Sequence, residues 1–454
     1  MKQKKLISAV MSLVALLAFA QERQEYTGEM SINKTVYPEE IISNPKRVTP
    51  AEFIIFPWGD MPANPAGGSW GDFANMDSMM MCDLYKCGFN TSGFIEPQLL
   101  RHARANHLMG ILKYGVKPDD HTTPEAANDS IKKLFASITD AQDRRAVFAV
   151  NLCDEPNVSL FPQLKIWSEA VKKQSEEVMG QPVLPYINLF PDYATSQQLG
   201  AQHYEAYLDL YTKTCQPPFI SYDNYSLFND GQLDEDRFYG NLESVRNKSL
   251  HDSIPFWNVI LSNAHFNYAE PSVATLAVQV YSTLAYGGKG IGYFTYYTPQ
   301  IGNYRLAPVD RFGFRTDTWE MMRYINLQIH ALVPELNRLT NVNVFHTGQL
   351  PRNCQDITSR KHIARINIKD SLLISEFEDD EGRPYALIVN KNVQSSVALD
   401  FAFRKYYQDR EDTIMVISQF EQGKQVYFSK GNNWVPPGCG VLVTIKKLLW
   451  GDIQ

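Results

Sequence analysis

The stretch 147–159, VFAVNLCDEPNVS, decides how the chain is read: an apolar run surfaces at Asp154 and Glu155 and is stopped by Pro156. Buried on both faces and followed by an amphipathic segment, such a run is a parallel strand opening onto a helix. Seven more units share this grammar. Their strands are AEFIIFPW (51–58), FNTSGF (89–94), LMGILKYG (108–115), LPYINLF (184–190), PFISYDNY (218–225), IPFWNVILSN (254–263) and GIGYFTYY (290–297). Helical stretches such as 164–180, 203–215 and 272–288 lie between them, most closed by Gly or followed by Pro. Eight repeats over about 290 residues predict a (β/α)8 TIM barrel spanning 51–340. A doubly wound open sheet would carry a Gly-rich phosphate turn after its first strand, and none is present. From 341 to 454 the pattern becomes all-β, with LLISEFED, PYALIVNKN, VALDFAF, IMVISQF, QVYFSKG and GVLVTIKK as strands, which predicts a C-terminal β-sandwich.

Composition bounds the function. The chain has 454 residues, 44% hydrophobic and 20% charged, the balance of a folded globular protein. Residues 1–20 place Lys2, Lys4 and Lys5 before an apolar run that ends Ala18-Phe19-Ala20, the pattern of a cleaved signal peptide; 21–50 form a lead-in. Export to the periplasm or beyond follows, with no membrane insertion after cleavage. Losing three lysines and no acid takes the net charge from −7 to −10, and no basic stripe remains to bind nucleic acid. The six cysteines lack metal-ligand spacing, and no metal or organic cofactor is expected. Export permits disulfides, with Cys354–Cys439 the favoured pair because both fall in the second domain.

In such a barrel, chemistry belongs to the loops at the strands' carboxyl ends. Alternation along the fourth strand turns Ala149, Asn151, Cys153 and Glu155 inward and Phe148, Val150, Leu152 and Asp154 outward. The other strand ends contribute Trp58, Asp60, Glu96, Lys113, Asn188, Asp223, Tyr225, Asn258, His265 and Tyr296. Amides and carboxylates bind hydroxyls while aromatic faces pack on the C–H face of a pyranose, so this mixture suits a carbohydrate. Trp70 is a candidate lid residue. Each residue also has a structural role open to it: Asp-Glu-Pro as a helix cap and start, Asp223 as a turn former, the rings as packing, His265 as a hydrogen-bonded core histidine.

NLCDEP (151–156) resembles the Asn-Glu-Pro signature of clan A glycoside hydrolases, and AYGGKGIGYFTYY (285–297) with VPPGCGVLVTI (435–445) looks like the last barrel unit and final strands of related proteins secreted by gut Bacteroidetes. The resemblance implies that Glu155 is the general acid/base, with Asp154 where the family has Asn. It breaks on strand seven, where the family's nucleophilic Glu has no counterpart in 254–269. Asp223 is then the expected second carboxylate, ahead of Glu96 and Asp60, and the separation of the pair would decide between retention and inversion. Adjacent Asp-Glu also resembles hexosaminidase-like enzymes, in which Asp154 would orient a substrate acetamide and Tyr225 would steady the transition state; the outward turn of Asp154 counts against that. A barrel that binds sugar without cleaving it is the alternative function.

Overall fold

The computed structural model describes residues 53–59, 76–115, 122–367, 369–404, 414–429 and 431–446. The expected leader and lead-in (1–50), Asp60 and Trp70 lie outside them. Eight parallel strands form one sheet: β1 (Ile54–Pro57), β2 (Thr91–Ile95), β3 (Met109–Lys113), β4 (Val147–Asp154), β5 (Leu184–Leu189), β6 (Ile220–Asn224), β7 (Phe256–Leu261) and β8 (Gly290–Phe294). The order β1-β8-β7-β6-β5-β4-β3-β2 runs once around a barrel. Asn90 closes the seam between β1 and β2, since its side chain accepts from Ile55 N–H and donates to the Phe53 carbonyl.

The barrel interior is an aromatic stack. Phe56, Phe94, Phe148, Tyr186, Phe219 and Trp257 fill it, with Phe219 lying 3.8 Å from the Trp257 ring at 18°. Gly290 and Gly292 make room for this stack: a Cβ at Gly290 would come within 2.6 Å of the Trp257 ring, and one at Gly292 within 2.8 Å of Phe56 and Val259. Outward-facing Val150, Leu152, Ile187, Tyr222 and Tyr293 pack with the helices. The alternating pattern thus yields two apolar layers, one inside the barrel and one between barrel and helices.

The last barrel helix, Asp317–Leu336, leads into β9 (Thr340–His346). It is followed by β10 (Ile363–Arg365), β11 (Leu372–Glu378), β12 (Pro384–Asn390), β13 (Val397–Ala398), β14 (Ala402–Phe403), β15 (Ile414–Ile417), β16 (Gln425–Tyr427), β17 (Trp434–Val435) and β18 (Gly440–Ile445). Six of these form an antiparallel sheet, β16-β15-β18-β12-β11-β9, while β10-β14 and β13-β17 are short pairs. This is the expected barrel and β-sandwich architecture. β9 was missing from the expected strands, because Asn341 and Asn343 break its apolar pattern; both asparagines are spent on packing contacts instead. Asn341 accepts from Arg246 and donates to the Ala285 carbonyl, and Asn343 donates to buried Glu376.

Buried contacts join the barrel to the C-terminal sheet. Lys391, wholly buried, pairs with Glu235 at 2.6 Å, and Tyr385 donates to Glu335. The expected Cys354–Cys439 disulfide is absent: all six cysteines are free. Cys354 lies against the Tyr286 hydroxyl at 3.5 Å, whereas Cys439 is buried at the head of β18. No helix among the described residues is long and apolar enough to cross a membrane.

Candidate active site

The site grows from the floor of the barrel along one line of hydrogen bonds. The Tyr186 hydroxyl lies 3.0 Å from Ser221 Oγ, which donates to Asn188 Oδ1 at 2.9 Å. The Asn188 amide then donates to two carboxylates, Asp223 at 2.9 Å and Asp154 at 3.1 Å. Both carboxylate oxygens sit close to one nitrogen, so they are no further apart than about 6 Å. Strands β4, β5 and β6 each contribute one member to this bridge.

Asp154 therefore faces into the barrel mouth, opposite to the expected direction. The cause is a pair of irregularities in β4. Its register slips against β3 between Val147 and Ala149, and against β5 between Asn151 and Cys153. An extra residue at each slip breaks the two-residue period. Phe148 consequently enters the interior stack, 5.9 Å from Trp257, and Cys153 packs in the outer layer rather than inward.

Glu155 follows with φ +46°, a left-handed conformation, and its N–H donates to the Asn188 carbonyl at 2.8 Å. Such a backbone is uncommon outside glycine, and here it turns the chain at the strand end. The result is three carboxyl groups in one place. Asp223 is almost wholly buried, and desolvation followed by the charges of Glu155 and Asp154 pushes it well above the usual carboxylate range. Glu155 is half-buried and raised to about 7 by desolvation and then by Asp154. Asp154 keeps exposed surface at the lip of the mouth, but crowding by the walls raises it to about 6, against the opposing effect of the Asn188 hydrogen bond. Like charges in a partly dry mouth cannot all be ionised together, so the trio holds protons near neutrality.

An aromatic wall adjoins the trio. Tyr225 stacks on Phe294 at 5.3 Å and 27°, and His265 stacks on Tyr304 at 4.7 Å and 10°. Burial lowers the His265 pKa, and its Nδ1 lies 2.9 Å from Asn263 Oδ1, so the ring sits neutral in the wall. Trp58 packs edge-on to Phe94 at 5.3 Å, and its buried indole nitrogen has no hydrogen-bond partner among the described residues. Half-buried Glu96 and exposed Lys113 lie at the ends of β2 and β3, with Lys113 in phase with the inward Met109 and Ile111.

Two expected site residues point elsewhere. Asn258 is out of phase with inward Trp257 and Val259, and donates to Thr283 on the helix Val273–Ala285 at 2.9 Å. Tyr296 lies beyond the end of β8, so strand alternation does not reach it; its hydroxyl bonds Asp83 and accepts from Trp319 Nε1 behind the barrel wall. Sequence reading also missed Tyr193, which accepts from the Tyr225 N–H at 3.2 Å, and Arg237, which lies over its ring. Both belong to βα loops or helix starts, where no periodicity fixes a direction. Among the described residues no cluster of His, Cys, Asp or Glu could hold a metal ion.

No protein-family model matches the chain, and no curated protein matches it in sequence. Solved structures similar to it include a family 39 glycoside hydrolase from Bacteroides cellulosilyticus WH2, at 12% identity over 88% of this chain and 81% of that one, TM-score 0.48. The catalytic domain of β-amylase from Paenibacillus polymyxa matches at 8% identity over 61% and 98% of the two chains, TM-score 0.42. The catalytic domain of a mannanase from Streptomyces sp. SirexAA-E matches at 14% identity over 59% and 82%, TM-score 0.37. The fold itself rests on the strand order described above.

Proposed function

We propose that this protein is an exported glycoside hydrolase that cleaves an O-glycosidic bond in an oligo- or polysaccharide. The observation that carries the reading is the carboxyl trio at the barrel mouth, in which Glu155 titrates at about 7 beside Asp223 and Asp154. A glycosidase needs one protonated acid for the leaving oxygen and a second carboxyl to act as nucleophile or to activate water. Glu155, half-buried and still protonated near neutrality, suits the first role; Asp223, bridged to Asp154 through Asn188, is assigned the second, which it fills in its ionised form. The rings of Tyr225, Trp58 and Phe294 supply apolar faces for a pyranose. The lysine-led leader with Ala18-Phe19-Ala20 supports a periplasmic or extracellular site of action.

The inward direction of Asp154 favours a second reading, substrate assistance. With its carboxyl at about 6 and Glu155 at about 7, Asp154 ionises first and can orient an acetamido group while Glu155 keeps its proton. Comparing Asp154→Asn with Asp223→Asn on substrates with and without a 2-acetamido group separates the two schemes.

The deciding experiment incubates the purified protein and its Glu155→Gln variant with a broad set of oligosaccharides and measures released products. Products that disappear in the variant support the enzyme. Bound sugar with no product from either form supports a binding protein on the same barrel, and product formation that survives Glu155→Gln removes Glu155 from the acid role.

A further inference from the structure

Arg237 stands in the first turn of the helix Glu235–Asp252, directly after the loop that follows β6. Its guanidinium carbon lies 3.2 Å from the centroid of the Tyr193 ring and 5.4 Å from that of Phe228. One terminal nitrogen reaches the Tyr268 hydroxyl at 3.5 Å, while its Nε is buried with no hydrogen-bond partner among the described residues. The three rings come from the loops after β5, β6 and β7, which are loops of the active face. Tyr193 accepts from the Tyr225 N–H, and Tyr225 is two residues from Asp223, which joins the clamp to the carboxyl site.

The acids near this cation form their contacts with other groups. Asp234 caps the helix by accepting from the Arg237 backbone N–H, Glu235 pairs with Lys391, and Asp236 accepts from the Arg352 backbone. Asp192, whose carboxyl feels the Arg237 charge, is held by Arg352 through one oxygen, and its other oxygen is buried without a hydrogen-bond partner among the described residues. Arg237 therefore forms no ion pair within the described residues, although it is half-buried. A partly desolvated guanidinium with no carboxylate in direct contact is costly, and the aromatic faces and the nearby Asp192 charge offset only part of that cost. An arginine lying over a ring also keeps the N–H edge of its plane free to grip an oxyanion through two parallel bonds.

We propose that Arg237 reads an oxyanion carried by the substrate, a uronate carboxylate or a sulfate ester, and so makes the enzyme selective for acidic glycans. This rests on the glycosidase reading above and adds the class of sugar. The acidic mature chain slows the approach of such a substrate, so the preference shows in equilibrium discrimination.

The test uses the full chain carrying Glu155→Gln, so that bound sugar is not consumed. It is titrated calorimetrically with oligosaccharide sets of one linkage that differ only at C6, bearing a hydroxymethyl, a carboxylate or a sulfate ester. At least one acidic member should bind about tenfold or more tightly than its neutral partner, the worth of one charge-assisted pair. The carboxylate and sulfate arms identify which oxyanion is read. The acidic-to-neutral ratio should collapse toward one in Arg237→Met and fall part-way in Arg237→Lys, which keeps the charge without the planar fork; the Lys variant carries the test should the Met variant fail to fold. A ratio near one in the parent, or a ratio that Arg237→Met leaves unchanged, overturns the proposal and makes the clamp a structural stack. Neutral sugars binding alone would overturn it while sparing the glycosidase reading, whereas no binding by any member would remove both.

Discussion

Asn188 donates its amide to Asp223 at 2.9 Å, from the strand next to the one that carries Asp223, and the same nitrogen serves Asp154. One neutral side chain thus holds two acids at a fixed spacing and lowers both of their pKa values against the rise caused by burial. Asn188→Ala leaves these carboxyls and the Ser221 hydroxyl without that partner. A buried polar group stripped of its hydrogen bond costs about 1–3 kcal/mol, so a loss of about 2–4 kcal/mol is expected in urea unfolding. The acids should also titrate higher than in the parent, which carbonyl-region infrared spectroscopy across pH can follow.

Glu155 sets the pH dependence. Its carboxyl, at about 7, must be protonated to serve as the acid, so kcat/KM should fall as pH rises past about 7. Asp154 at about 6 places an ascending limb below that if its charge is required. Glu155→Gln should lower turnover by about 10²–10⁴-fold. A profile flat from pH 5 to 9 would remove both groups from the rate-limiting chemistry.

Asp223→Asn separates stability from activity. The folded-state pKa of Asp223 is raised, so folding favours its neutral form. The stability that this proton confers is present below the ordinary carboxylate value and is lost as pH rises through the folded one. The Asn variant is neutral at every pH and can still accept from Asn188. Its melting temperature should exceed the parent's at pH 8, by roughly 1–3 °C, and match it near pH 4. Turnover should drop sharply at both.

Lys391→Met tests the seam between barrel and sheet. Lys391 is buried against Glu235, and the charge is held there although burial lowers its pKa. Removing one partner of a buried pair strands the other, with an expected cost of about 2–4 kcal/mol in thermal or urea unfolding. The double variant Lys391→Met/Glu235→Gln should recover most of it, a coupling that independent sites would not show.

The barrel was legible because burial on two faces writes itself into eight apolar runs. The gathering of Asp223, Asn188 and Glu155 at one end was legible for the same reason: a parallel barrel brings all strand ends to one face. Direction was lost wherever the two-residue period failed. Asp154 and Cys153 reversed at the slip in β4, and Tyr296 lay past the end of β8. Asn258 shows a different limit, because its polarity is spent on Thr283 in the helix layer, where a pattern of strand ends cannot see a partner. Arg237 carried no signal at all, since the rings that clamp it are far apart in the chain.

The slip at Asn151–Cys153 has a consequence for how the site can change. It holds one residue more than the ladder needs, so the position can absorb a change of chain length: losing that residue would restore the two-residue period and leave Asp154 facing the mouth. A barrel of this kind could therefore lose a codon here and keep all three acids at its mouth.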